Sequence, residues 1–387
     1  MVMSTDDRNQ LYLDVSEGRI PKRIPDKLSA FCNAALELEG YFGKDLIEAQ
    51  YDTEKIQLAA EKLTAKYDTD NVMGTDVIKA SQPVADLYSE NTVYMMGSNG
   101  YVQHPDHVGL EFEDLDELIA DPIKCIWDKI IPRLYPGYNK ESGESLINLY
   151  KYLKAESYYS KELSGIKSDL AKRYSRVTAR IRGASARAPF DFYADRIRSF
   201  STSMVDIRRK PEKVLEAVDV LTELVIKMGT SKPPLNRFGK ATFMLHMAPF
   251  MKPKDFQKFY WPSFYKAVWE IYNAGRGIYL FVENDWTPYF DYLQELPPLT
   301  EMNVERGDPK VVKEKLGDKF VITGMYPYNT LKTGTTEQIV DQAKALIDIL
   351  APGGKYFFNT DVHIMNSQIN WEGFGALVET VHEYGRY

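Results

Sequence analysis

Beyond Lys240 the chain alternates short apolar runs with longer stretches whose apolar residues recur every third or fourth position. A short apolar run between turn residues reads as a buried strand, and the three-to-four spacing reads as one face of a helix. The predicted order is strand 241–247, helix 254–274, strand 278–282, helix 288–295, strand 300–304, helix 308–316, strand 320–324, helix 335–350, strand 356–358 and helix 371–384. Strict alternation of this kind implies parallel strands joined by right-handed crossovers.

The first half is less regular. Apolar spacing predicts helices over 27–39 and 54–66, with Asp26 and Asp52 as N-caps. Residues 73–93 mix β-branched residues with Ser, Pro and Asp and are expected to hold the first strands. The Gly-, Asn- and His-rich stretch 95–107 reads as a turn region or a substrate-covering loop, with His104 and His107 at the surface. Helices over 113–134 and 144–174, a strand at 176–181, a small-residue loop at 183–189 and helices over 190–204 and 211–227 follow. The fold class expected is α/β, a (β/α)8 TIM-type barrel with additional N-terminal helices. Residues 1–387 form one domain in this reading, with 1–70 as a helical extension packed on the barrel. An open doubly wound sheet is the alternative, but no Gly-rich dinucleotide fingerprint follows any strand.

Composition narrows the function classes. A net charge of −7 argues against nucleic acid as a main partner, because phosphate binding needs a basic face. With 44% hydrophobic residues the chain can bury a sizeable core. Its two cysteines, Cys32 and Cys125, fit a reducing compartment. No apolar run approaches the ~20 residues of a membrane helix, and the N-terminus has no signal-peptide pattern, so a cytoplasmic location is expected.

The candidate chemistry sits where the strands end. The polar residues there are His246, then Glu283 with Asp285 and Trp286, then Glu305, Tyr326, and Asp361 with His363. Barrel enzymes gather catalytic groups at the C-terminal ends of their strands, so these residues should converge on one mouth. Nitrogen and oxygen donors suit zinc, with His246, Glu283, Glu305 and His363 as expected ligands. Without a metal, crowded carboxylates repel, and one of them holds a proton near neutrality and can serve as a general acid. Each position also has a plainer reading: Glu305 can pair with Arg306, His246 can be a satisfied core histidine, and His382 on the last helix is expected to be solvated.

The stretches FMKPKDFQKFYWPSFYKAV at 250–268, GDKFVITGMYP at 317–327, LKTGTTEQIVDQAKALIDILAPGGKYFF at 331–358 and EYGRY at 383–387 resemble the uroporphyrinogen decarboxylase (URO-D) superfamily. The resemblance is strong over 240–387, weaker at 191–217 and faint before that. It implies a TIM-type barrel and one of two activities. The Arg-rich N-terminal motif of the decarboxylases is not matched by GRIPKRIPDK at 18–27. The other branch comprises methyltransferases that serve corrinoid proteins. Its thiol-methylating members hold zinc through a His-x-Cys pair and a later Cys. The corresponding places here hold Phe281, Glu283 and Val362. The resemblance therefore implies an O-demethylase, with catalytic Glu283, His246 and Tyr326, and with Asp285, Trp286 and Asp361 at the substrate. Tyr279 and Tyr328 would join Trp286 and Tyr326 around an aryl ring. The segment at 361–366 echoes a corrinoid-binding DxHxxG pattern, but Asn366 replaces its glycine. The corrinoid is thus expected on a partner protein, with a small methylated aromatic ether as substrate, and a homodimer is admitted.

Overall fold

The computed structural model describes residues 3–77, 92–138, 143–178, 182–231 and 239–387. A small antiparallel pair, β1 (Met95–Met96) and β2 (Val102–Gln103), precedes the main sheet. That sheet holds six parallel strands in sequential order. They are β3 (Arg182–Arg187), β4 (Lys240–Leu245), β5 (Ile278–Asp285), β6 (Glu301–Arg306), β7 (Val321–Tyr326) and β8 (Tyr356–Thr360). Two extended segments continue the ring. Residues 25–31 lie beside β8, where Phe358 donates to the Pro25 carbonyl and accepts from the Lys27 N–H. Asp76 then accepts from the Cys32 N–H at 2.8 Å, and Val177, on the approach to β3, donates to Asp70 at 2.9 Å. The fold is an α/β TIM-type barrel. No helix among the described residues is long and apolar enough to cross a membrane.

The expected elements beyond Lys240 match closely. Helix Trp371–Tyr384 has the predicted ends, and Thr335 caps helix Thr336–Leu350 through a capping box with Gln338. Predicted helix 288–295 shrinks to two short turns, Thr287–Tyr289 and Phe290–Leu293. The first half needs three corrections. Residues 27–31 form barrel ladder, and the helix begins only at Cys32, so Asp26 is not its cap. The strand expected at 176–181 is displaced into the supposed loop, as Arg182–Arg187. Its small residues reflect crowding: a Cβ on Gly183 would lie 2.3 Å from Arg276 Nη1 and 2.9 Å from the Gly239 carbonyl. Finally, predicted helix 190–204 breaks at Ser199, whose φ of +89° ends one helical segment before Phe200–Arg209 begins.

Side chains alternate across each strand, so ladder partners share a face. Arg187, Met244, Phe281, Asn303 and Thr323 are successive partners around the barrel, one place below the mouth. At the opposite end Glu301 pairs with Lys27 and Lys240, whose charges outweigh burial and hold its carboxyl at about 2. Tyr12 and Val15 of helix Thr5–Ser16 pack on Val321 and Phe357 below it. That end is plugged. Chemistry is left to the other.

Candidate active site

Strand β5 runs past its predicted end into a bulge. Its pairing with β6 shifts register between Val282 and Asp285, and Asn284 takes a φ of +65°. Bulges of this kind re-aim side chains at barrel rims. Here the turn presents Glu283 to the mouth and directs the Asn284 N–H to Glu305 Oε2 at 2.7 Å. A β-branched residue tolerates that φ poorly. Asn284→Val is expected to lower stability by about 1–3 kcal/mol and to reduce activity, whereas Asn284→Gly keeps both. Thermal melts and turnover of the two variants check this.

Glu283 lines a cavity of about 380 Å³ together with Met244, Phe281, Glu305, Tyr328 and His363. His246 Nε2 lies 3.4 Å from Glu283 Oε2. Burial, then the charge of Glu305, then that of Asp195, push the Glu283 carboxyl up to about 7. A carboxyl so placed exchanges its proton near neutrality. Glu305 is held by the Asn284 N–H and lies 3.6 Å from Arg306, the local pairing the sequence allowed. His363 stacks on Phe281 at 5.8 Å and meets Phe31 edge-on at 5.2 Å. Asp361 accepts the Tyr328 and Val362 N–H groups at 2.8 and 2.7 Å, which shapes the loop after β8.

Four of the residues named from sequence lie elsewhere. The Tyr326 phenol is buried and donates to the Ile339 carbonyl at 3.0 Å, so it ties β7 to the outer helix. Trp286 is wholly buried among Phe256, Tyr260 and Tyr289, its indole N–H on the Glu283 carbonyl. Asp285 is exposed and accepts the Thr287 N–H, which starts the next turn. Tyr279 lies near the plugged end, 5.8 Å under the Lys27 ammonium. Of the aromatic candidates only Tyr328 lines the cavity. Strand-end position alone did not say which side of the sheet each residue faces.

Two acids escaped the sequence reading. Asp191 is fully buried and accepts the His246 and Met247 N–H groups and the Tyr260 hydroxyl, fixing the end of β4. Burial pushes its carboxyl up to about 7 against those bonds. Asp195 lies among Arg187, Arg196 and His104. Burial acts to raise its carboxyl, but Arg196, His246, Arg187 and His104 together hold it below the usual range. Their signal was weak because both sit inside the segment 190–204, read as one regular helix.

The donor geometry does not assemble the expected zinc set. His246 and Glu283 approach each other, but Glu305 is held by Asn284 and His363 is stacked on Phe281. Among the described residues, the one group of three donors with ligand atoms within 4.8 Å of one another is Asp26, Asp70 and His382, which lies away from the mouth. Arg8 and Arg23 already pair with that group. Among the described residues the mouth holds no such close-set group of three, and Glu283 and Glu305 are two carboxylates within reach of each other's charge.

The profile of the uroporphyrinogen decarboxylase (URO-D) family matches residues 183–384, just over half of the chain. No curated protein matches the sequence. Among solved structures, a methyltransferase from Methanosarcina mazei is similar over 97% of this chain and 98% of its own, with a TM-score of 0.58 and 15% sequence identity. At that identity the likeness is one of fold.

Proposed function

Since the chain belongs to the uroporphyrinogen decarboxylase family, we propose that its barrel mouth is the active site of a methyltransferase that removes the methyl group of an aromatic ether, Glu283 protonating the oxygen left behind. The observation that carries this is the Glu283 carboxyl, held near 7 at the edge of an apolar cavity. A phenolate is a poor leaving group, and a positioned acid that neutralises it contributes roughly 10²–10⁴ in rate. Met244, Phe281 and Tyr328 supply the walls against which a single ring can pack. The similar solved structure is itself named a methyltransferase, which agrees with this class of reaction.

A partner corrinoid protein is the proposed methyl acceptor, supplying cobalt(I) as the nucleophile. This chain's own residues orient the ether, exclude water and deliver a proton from Glu283. Phe200, which opens helix Phe200–Arg209, and Phe250, at the end of the turn after β4, are exposed and edge-to-face at 5.2 Å, and they offer an apolar rim for such a partner. The alternative of porphyrinogen decarboxylation fits less well. A cavity of about 380 Å³ lies near the floor of the ~300–1,000 Å³ range of ligand pockets and suits one ring, not four.

Incubating the protein with reduced corrinoid protein and a panel of methoxyarenes is expected to methylate the corrinoid, read from its absorption spectrum. No spectral change with any donor, together with CO2 release from an acidic tetrapyrrole, would favour the decarboxylase. Stoichiometric zinc that disappears in Glu283→Gln would replace the proton by a Lewis acid.

A further inference from the structure

The helix Gly143–Arg173 runs for 31 residues and buries one face, through Tyr159, Leu163, Ile166 and Leu170. The Tyr159 hydroxyl donates to the Gln50 carbonyl at 2.6 Å, and Ile166 and Leu170 cluster with Ala60 and Val72. A surface helix of this kind is ordinarily polar on the opposite face. The C-terminal half obeys, with Lys161, Ser164, Lys167, Ser168 and Lys172 exposed. The N-terminal half does not. There Leu146, Ile147, Tyr150, Leu153 and Tyr158 are each 53–69% exposed. At 3.6 residues per turn the five fall within an arc of about 140° and along about 18 Å of helix, so they form one stripe.

Size and charge together say what fits this stripe. Five large side chains, each more than half exposed, present roughly 600 Å² of mostly apolar surface, at the upper end of what a monomer carries. Two copies that cover it on each other bury about 1,200 Å² in all, the lower bound of a specific interface. The stripe is bounded by Glu144 at one end and by Lys161 at the other, both exposed. A parallel copy sets Glu144 against Glu144 and Lys161 against Lys161. An antiparallel copy centred on Tyr152 sets Leu146 against Tyr158 and Glu144 beside Lys161, at both ends at once. It also brings Lys154 over the Tyr150 ring of the other copy, a contact Lys154 already makes in its own helix at 6.0 Å. The pattern is self-complementary, as a two-fold interface requires.

We propose that this stripe is a homodimer interface, in which two copies of the helix pack antiparallel across a two-fold axis beside Tyr152. Leu146, Tyr150, Leu153 and Tyr158 form its apolar centre, and a Glu144–Lys161 pair closes each end. A partner of another kind needs no such symmetry in the sequence of the helix. The small area makes the association weak and dependent on concentration. None of the five residues lines the mouth cavity, so the interface stands apart from the methyltransferase reading.

Sedimentation of the full chain between about 1 and 100 μM is expected to show a monomer giving way to a dimer. Tyr150→Glu, which leaves the packed face of the helix untouched, should raise the dissociation constant at least about tenfold. Glu144→Lys should weaken the dimer by about threefold, and adding Lys161→Glu should restore it. Both native cysteines are buried, so an introduced thiol reports the register. Leu153→Cys, close to the axis, should give a disulfide-linked dimer under mild oxidation. Leu146→Cys and Tyr158→Cys should cross-link when mixed and not when alone. A monomer at every concentration overturns the proposal, whatever else the protein binds, and this result needs no variant. A folded Tyr150→Glu that dimerises like the parent overturns it as well. So does Leu146→Cys cross-linking to itself in preference to Tyr158→Cys, because that makes the helices parallel.

Discussion

Glu283→Gln lowers methyl transfer by roughly 10²- to 10⁴-fold at neutral pH while the barrel stays folded. The substitution keeps the size of the side chain and removes the exchangeable proton. In the unsubstituted protein the rate should fall as pH rises through about 7, because the acid must carry its proton to neutralise the departing oxygen. The variant should lose that limb of the profile.

Stability gives a second reading with the opposite sign. The carboxyl is raised from 4.5 in the unfolded chain to about 7 in the folded one. Its contribution to stability is therefore fully present below about 4.5 and is lost as pH rises through about 7. Glutamine mimics the protonated form at every pH. The variant should thus melt at or above the temperature of the parent at pH 8, and lie no higher than the parent at pH 4. A site that is strained for function shows this exchange of activity for stability. A variant that is less stable at pH 8 and fully active would show that Glu283 is only a structural partner of His246.

The fold was legible where local and global signals agree. Helix Trp371–Tyr384 and the capped helix Thr336–Leu350 alternate with apolar strands, and each could be placed from its own residues. Strand β3 was not legible, because Gly183, Ala184 and Ala186 are small for packing reasons and read as loop chemistry. At the site, Glu283, Glu305 and His363 were found because each lies close to the end of an apolar run, and they do share the cavity. Tyr326 and Trp286 lie just as close to a strand end but turn into the outer shell. What separates the two groups is pleat phase and the bulge at Asn284. The bulge adds a residue to β5 without a Gly or Pro to announce it. Arg187 and Asp195 needed the register of β3, which the displaced strand concealed.

Asp70→Asn is expected to cost about 3–5 kcal/mol, the largest loss of stability from a single change in this protein. Asp70 has no exposure and accepts from Arg8, from both terminal nitrogens of Arg23 and from the Asp26 N–H. Its own N–H returns to Asp26 at 3.0 Å, and Asp26 holds His382 at 2.8 Å. His382, expected in solvent, is therefore a member of a buried network. The network joins the helix under the barrel, both segments that continue the ring and the last helix. Asparagine keeps the volume but leaves Arg8, itself wholly buried, facing a neutral amide. Against a total stability of about 5–15 kcal/mol, that loss should bring the denaturation midpoint down sharply. Burial acts to raise the Asp70 carboxyl, but Arg23, His382 and Arg8 outweigh it and hold it at about 2. Its stabilising contribution is then present above 3.8 and lost as pH falls through about 2, so the parent should lose stability in acid and the variant should lose less. Guanidinium denaturation of both proteins at pH 7 and pH 3 measures each effect. A difference under about 1 kcal/mol at pH 7 would place Asp70 among ordinary surface ion pairs, which contribute no more than that.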